Sequence, residues 1–307
     1  DIINWLGTNH VDSQIDRIVA CLDSPDAETA AASFKAAGKI GGAKALDALC
    51  SKLGGEKSDE ATAALLSFNG NITPGIIKAL QGYAPVKVAA MKVGATRHIK
   101  DAAPKVFSLL ASEDATVRDA AMGALPGVVG AGDFDKICDL IEANGTSANP
   151  ALGNALHAST SGMPAEQVFS KVMQHMNGSK APQMYYQVLA ACGTDAAIDE
   201  LCKAYASNTG PAKEAALQAL KKVDSGKMAE ILYDIAVTDD RQDLLPRYAA
   251  LVAAGGHTPE QQFMLYRKGL EAASDASVKS LMIKGLSSAG TYQALMLADS
   301  CQSDPAV

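Results

Sequence analysis

Residues 113–130, EDATVRDAAMGALPGVVG, set a pattern that recurs along most of the chain. Asp114 stands where a helix N-cap belongs: its carboxylate can accept from free backbone N–H groups and favours the positive end of the helix dipole. Val117, Ala120, Ala121, Ala124, Leu125 and Val128 then follow at steps of three and four, one apolar stripe on a 3.6-residue period. Gly127 and Gly130 fit the exit of such a helix, where glycine takes a left-handed conformation at least cost. Pro126 is discordant, costing about 3 kcal/mol inside a helix, and predicts a kink or an early end there.

The same frame fits elsewhere. Val86-Lys87-Val88-Ala89-Ala90, Ala212-Lys213-Glu214-Ala215-Ala216, Pro246-Arg247-Tyr248-Ala249-Ala250 and Val278-Lys279-Ser280-Leu281-Met282 all match Val117-Arg118-Asp119-Ala120-Ala121, with Asp243 and Asp275 where Asp114 stands. Weaker copies occupy 26–42, 59–70, 148–159 and 181–193. Ala37 and Leu286 are the first and ninth copies of the Leu125 position, which makes the mean period about 31 residues. A period of that size is the mark of a solenoid, which grows by stacking and has no single core.

Each repeat holds two helices, A and then B. The A helices are expected at 12–22, 43–53, 73–81, 101–111, 133–143, 163–176, 195–206, 224–237 and 258–272. Each is followed by its B helix, the fifth interrupted at Asn149-Pro150, and 291–301 reads as a tenth A helix without its B partner. With no sustained Val, Ile and Thr alternation to suggest a strand, the fold is expected to be all-α: a right-handed superhelix of nine to ten hairpins, one solenoid over 1–307. Asp1 in place of an initiating Met, and an end inside a repeat, lead us to expect a module cut from a larger polypeptide.

The hairpins resemble HEAT repeats, in particular the short bacterial type also found in phycobilin lyases. The resemblance rests on D-x-x-V-R-x-x-A-A-x-x-A-L, as in Asp114 to Leu125, and covers nearly the whole chain. It implies the superhelical fold and a concave surface lined by B helices. Repeats this rich in Ala and Gly also look like the helical part of exported bacterial proteins that carry sugar-active domains.

Composition narrows the function. A formal net charge of −7 disfavours general nucleic-acid binding, which uses a basic face. No run of apolar residues is long enough for a membrane span, and no signal peptide is visible. An exported domain and a cytoplasmic one both fit. The six cysteines are scattered without a Cys-x-x-Cys and read as small buried hydrophobes. None of the five histidines has a second His or Cys at ligand spacing, so no metal, cofactor or catalytic residue is assigned. Gly38-x-x-Gly41-Gly42 lacks the Gly-Lys-Ser/Thr ending of a phosphate loop and reads as a helix exit.

The candidate binding residues are the recurring bases Lys87, Arg118, Lys213, Arg247 and Lys279. In the HEAT resemblance they either form a ladder with acids of neighbouring repeats or line the groove as a stripe for carboxylates or phosphates of an acidic partner. B-helix bodies add Lys35, Lys39, Lys92, Arg97, Lys221, Lys222 and Lys284, whereas A helices carry more acids. Tyr186 falls on the apolar stripe. Its neighbour Tyr185 points elsewhere, as an exposed anchor would, since Tyr suits interface centres. The expected function is a non-enzymatic scaffold or spacer that binds a protein or peptide along the concave B-helix face. The alternatives are an accessory module of a sugar-processing protein and a lyase of the phycobilin-lyase type.

Overall fold

A computed structural model describes residues 2–147 and 149–301. These are helical and turn residues throughout, with no strand among them. They divide into two compact units. The first holds residues up to Met163 together with His175–Met184; the second holds Pro164–Gln174 and residues from Tyr185 onward.

In the first unit the helices are α1 (Ile2–Thr8), α2 (Ile15–Ala20), α3 (Ala27–Ile40), α4 (Gly42–Ser51), α5 (Ser58–Leu66), α6 (Thr73–Ala79), α7 (Ala84–Thr96), α8 (Ala103–Leu109), α9 (Ala115–Val128), α10 (Phe134–Asn144) and α11 (Pro150–Ser159). Antiparallel pairs α2/α3, α4/α5, α6/α7, α8/α9 and α10/α11 are the expected hairpins. Each B helix packs on the next, in the order α3, α5, α7, α9, α11, while the A helices α2, α4 and α6 pack on one another. Helix α1 was not anticipated. It packs on α3 and so adds a helix to the B layer ahead of the first hairpin.

Local chemistry sets the helix starts. Asp114 accepts from the N–H groups of Thr116 and Val117 at 2.8 and 3.4 Å, and Asp26 caps α3 through Thr29 N–H at 2.9 Å. Asn149 accepts from Ala151 N–H, with Pro150 as first helical residue, so this dipeptide begins α11 instead of interrupting it. Pro126 does not stop α9 early: the helix runs on to Val128, because near a C-terminus the next donor, Val129 N–H, still reaches Leu125 O at 3.1 Å.

The B layer of this unit is closed by very small side chains. A Cβ on Gly7 would lie 2.7 Å from Ala36 Cα, one on Gly38 2.8 Å from Ala64 O, and one on Gly127 2.3 Å from Ala95 O. Gly127 is therefore a contact glycine, not a helix exit: the backbone of α7 occupies the space its side chain would need. Gly41, at φ 77°, is the exit expected of it. Two histidines fasten the same layer. His10 and His98 take left-handed backbone (φ 50° and 52°) just after α1 and α7, and each ring donates from Nδ1 to a carbonyl 29 residues on. The acceptors, Lys39 O at 2.7 Å and Gly127 O at 3.3 Å, are the next-to-last residues of α3 and α9.

The chain changes unit after Met163, after Gln174 within α12 (Ala165–Met176), and after Met184. The second unit continues with α13 (Tyr186–Cys192), α14 (Asp195–Ser207), α15 (Gly210–Lys222), α16 (Lys227–Thr238), α17 (Leu245–Ala254), α18 (Pro259–Ala272), α19 (Ala276–Ser288) and α20 (Tyr292–Cys301). The hairpins are α14/α15, α16/α17 and α18/α19, with α13 packed on α15 and α17 on α19. Asp275 caps α19 as expected, through the N–H groups of Ser277 and Val278. Asp243 does not cap α17. It sits in a 3₁₀ turn, Gln242–Leu244, where Arg241 holds it, and Leu244 occupies the cap position without a side-chain bond.

The core of this unit is built on larger residues. Tyr185 and Tyr248 are fully buried, and Tyr186, Tyr205 and Tyr266 nearly so. Tyr248 O–H donates to Leu265 O at 2.7 Å, and Tyr205 O–H to Asp239 at 2.5 Å, so the buried phenols keep a partner. Tyr186 is core, as its place on the stripe predicts. Tyr185 is core as well, which corrects its reading as an exposed anchor. It lies in the short connection between a 3₁₀ turn, Pro182–Met184, and α13, where helical spacing no longer decides which way a side chain points.

Candidate functional site

The five recurring bases occupy the first turn of their B helices, and their environments differ. Arg118 turns back to its own A–B turn, donating to Ser112 O at 2.7 Å and Glu113 O at 2.8 Å. Lys213 reaches Asp239 at 2.7 Å and lies 4.5 Å from the centre of the Tyr205 ring. Arg247 donates to Val223 O and stands 3.5 Å from Asp224. Lys87 and Lys279 are half-buried, and their side chains have neither ion pair nor hydrogen bond among the described residues. One spacing in the sequence thus leads to three different uses.

In the second unit these contacts form part of a continuous seam. The segment from Asp239 to Arg247 runs along α15: Lys213 pairs with Asp239, Arg241 with Glu214 at 2.9 Å, and Lys221 with Asp243 at 3.6 Å. Arg241 also clasps Asp243 through Nε and Nη2 at 2.8 and 3.1 Å. The hydrogen bonds of Lys213 and Tyr205 hold the Asp239 carboxyl below the usual carboxylate range; those of Arg241 do the same for Glu214 and Asp243. Burial, with Asp239 beside it, pushes the Tyr205 phenol up to about 12.

Inter-repeat ion pairs also occur in the first unit, but on A helices. Lys44 meets Asp16 at 3.0 Å, Lys52 meets Asp23 at 2.6 Å and Lys78 meets Asp47 at 3.9 Å, each pair about one repeat apart. The ladder that the sequence suggested for the B-helix bases is carried here by other lysines.

A groove opens on the B layer of the first unit, with a volume of about 570 Å³. It crosses three successive B helices. Ser58, Asp59 and Thr62 come from α5, Pro85, Val88 and Lys92 from α7, and Asp114 and Thr116 from the start of α9. Its floor is small because Ala84 and Ala89 face it, the same economy of side chain that lets these helices stack closely. Thr116 O–H donates to Asp114 at 2.6 Å, and this hydroxyl, with the Thr116 N–H, holds the Asp114 carboxyl below its ordinary range. Ser58 Oγ accepts from Gly54 N–H at 2.9 Å. Lys92 is exposed and its ammonium is uncommitted. The groove therefore offers one free cation, two carboxylates, hydroxyl groups and an apolar strip formed by Pro85 and Val88.

None of the six sequence-derived candidates lines this groove. Lys92 was visible among the B-helix bases; Thr62, Pro85 and Val88 carried no chemical signal, because what makes them a surface is the neighbouring repeat. No three His, Cys, Asp or Glu side chains gather to hold a metal among the described residues, and no described helix is long and apolar enough to cross a membrane. The six cysteines are free; burial pushes the Cys50 and Cys192 thiols up to about 11, so both are protonated near neutral pH.

No family model matches the chain, and no curated protein sequence does. Among the solved structures that align with it is the complex of CpcE and CpcF of phycocyanin lyase from Nostoc sp. PCC7120. The alignment covers 94% of this chain and 94% of that chain at 16% identity, with a TM-score of 0.31. That correspondence is too loose to place any residue of one on the other.

Proposed function

We propose that this chain is a non-enzymatic helical-repeat scaffold that binds a peptide segment of a partner protein along its B helices. The observation that supports this most directly is the groove across α5, α7 and α9. It is an elongated surface that mixes an apolar strip with hydrogen-bonding groups and one uncommitted cation. A peptide laid across it would meet hydroxyl and carboxylate acceptors for its N–H groups, an ammonium for a carboxylate, and Pro85 and Val88 for an apolar side chain. Stacked repeats hold such a surface rigid, so little entropy is lost in ordering it on binding. Lys92 is the group that suits an acidic residue on the partner. Lys87, on α7 and also free of internal partners, is the recurring base of this unit still able to serve such a partner.

The test is selection of peptides by display against the folded chain, followed by affinity measurements on Val88→Trp and Lys92→Glu. Val88→Trp fills the groove and Lys92→Glu reverses its cation. Both positions have solvent access, and circular dichroism checks that each variant folds. The expected outcome is about a tenfold or greater loss of affinity, roughly 1.4 kcal/mol, in both folded variants. Selected peptides that bind parent and variants equally would place binding elsewhere and defeat the proposal.

A further inference from the structure

The turn after α7 has an internal counterpart. Asn9-His10-Val11-Asp12 and Arg97-His98-Ile99-Lys100 follow α1 and α7 respectively, put His in the same left-handed conformation, make the same bond 29 residues ahead, and lead into a 3₁₀ turn. The first version does this with Asn9 and Asp12. The histidine bond between repeats therefore does not itself call for positive charge at these two places. In the second version both are cations, in a chain whose formal net charge is −7.

Both residues line a cleft of about 300 Å³, together with Asn71, Thr73, His98 and Asp101 among others. Arg97 is fixed: Nη1 donates to Leu66 O at 2.9 Å and Phe68 O at 3.2 Å, and Nη2 to Gly70 O at 3.3 Å. All three acceptors are neutral carbonyls, and three of the five guanidinium N–H groups are used. Neither Arg97 nor Lys100 has a carboxylate within ion-pair distance, and Asp101 on the rim pairs with neither. Asn71 Oδ1 accepts from Thr73 N–H at 2.9 Å, which leaves its amide N–H₂ group and the Thr73 hydroxyl as further donors.

We propose that this cleft between the loop at Gly70–Thr73 and the turn at Arg97–Asp101 binds a small oxyanion, a phosphate or carboxylate group, held by Arg97 and Lys100. The preset guanidinium supplies directional N–H donors, Lys100 a mobile charge, and Asn71 and Thr73 neutral donors, the combination that oxyanion recognition uses. The site is independent of the peptide groove. That groove lies at the N-terminal ends of α5, α7 and α9; this cleft lies beyond the C-terminus of α7.

The full chain is titrated with inorganic phosphate and, separately, with acetate, sodium chloride holding the ionic strength constant. The His98 ring resonances are the readout, assigned by their loss in His98→Asn, a residue that tolerates the left-handed backbone. The expected result is a saturable displacement by phosphate, acetate or both, with chloride inert. Saturation by phosphate alone identifies a phosphate site, and saturation by acetate identifies a carboxylate site. Lys100→Ala, at an exposed residue without internal bonds, should weaken the response about tenfold with an unchanged thermal melt, and Asp101→Asn should strengthen it about threefold. A linear drift equal to that of chloride, or an unaltered response in Lys100→Ala, overturns the proposal. Arg97 is left intact because its three carbonyl bonds join adjacent repeats.

Discussion

The two units join their repeats by different means. In the first, B helices approach until backbone meets backbone, at Gly7 on Ala36, Gly38 on Ala64 and Gly127 on Ala95. The seam between α15 and the segment leading into α17 is held instead by Lys213, Glu214, Lys221, Asp239, Arg241 and Asp243, above a core of buried tyrosines. The first device depends on shape: it tolerates no added atoms and is indifferent to salt. The second is electrostatic and partly solvated, so its strength follows ionic strength and pH. One repeat frame accommodates both because the frame fixes where helices lie and leaves the seam residues free to vary.

The sharpest way to break the comparison is Gly127→Ala. Its methyl would meet the Ala95 backbone, which cannot rotate away, and a loss of about 3 kcal/mol is expected in urea unfolding. Gly123→Ala in the same helix, with nothing within 4 Å of the new methyl, should instead stabilise by up to about 1 kcal/mol. If the two variants behave alike, close approach is not what couples these repeats.

Next comes Tyr248→Phe, which removes the side-chain donor to Leu265 O and leaves the buried site without its phenol hydrogen bond. A cost of about 1–2 kcal/mol is expected, with amide exchange accelerated in α16 to α19 and unchanged in α3 to α9. Arg241→Gln should cost less, about 1 kcal/mol, since its partners are partly exposed. Raising sodium chloride to about 1 M should remove most of that difference.

Acid gives a smaller effect. Asp239, Glu214 and Asp243 titrate lower in the folded protein than in the unfolded chain. Their contribution is complete above the ordinary carboxylate value, near pH 4, and is lost as pH falls below it through the folded values. Exchange along α15 should therefore quicken as pH falls below about 4. The capping carboxylates Asp26 and Asp114 are lowered too, so helix starts in the first unit should fray in the same window. The Gly–Ala seams, which contain no titrating group, should not respond. Smallest of all, Lys87→Ala and Lys279→Ala should each leave stability within about 0.5 kcal/mol of the parent, since neither has a partner to lose.

Much of the fold was legible because its determinants are local. Asp26, Asp114 and Asp275 start helices with bonds to N–H groups two or three residues away, and the apolar stripes of α9 and α19 bury the face their spacing predicts. The period of about 31 residues follows from repeating those signals. Helix α1 escaped notice because it is short, and packing on α3 sustains it. Asp243 failed as a cap because Arg241 and Lys221 compete for its carboxylate, a competition invisible in the place in the repeat frame that it shares with Asp114 and Asp275.

The candidate site was far less legible. Lys87, Arg118, Lys213, Arg247 and Lys279 share one sequence position but meet nothing, a carbonyl pair, a carboxylate and a ring, a loop, and nothing, respectively. Their fates are decided by residues up to a full repeat away. The sequence by itself determined that the chain is helical, where most helices begin, and how often the unit recurs, since those depend on contacts within a few residues. Only the tertiary structure decided that Gly127 is a contact and not an exit, that Tyr185 faces inward, and that Thr62, Val88 and Lys92 share one groove. Each of those depends on which surface the next repeat presents, and no spacing within a single repeat encodes that.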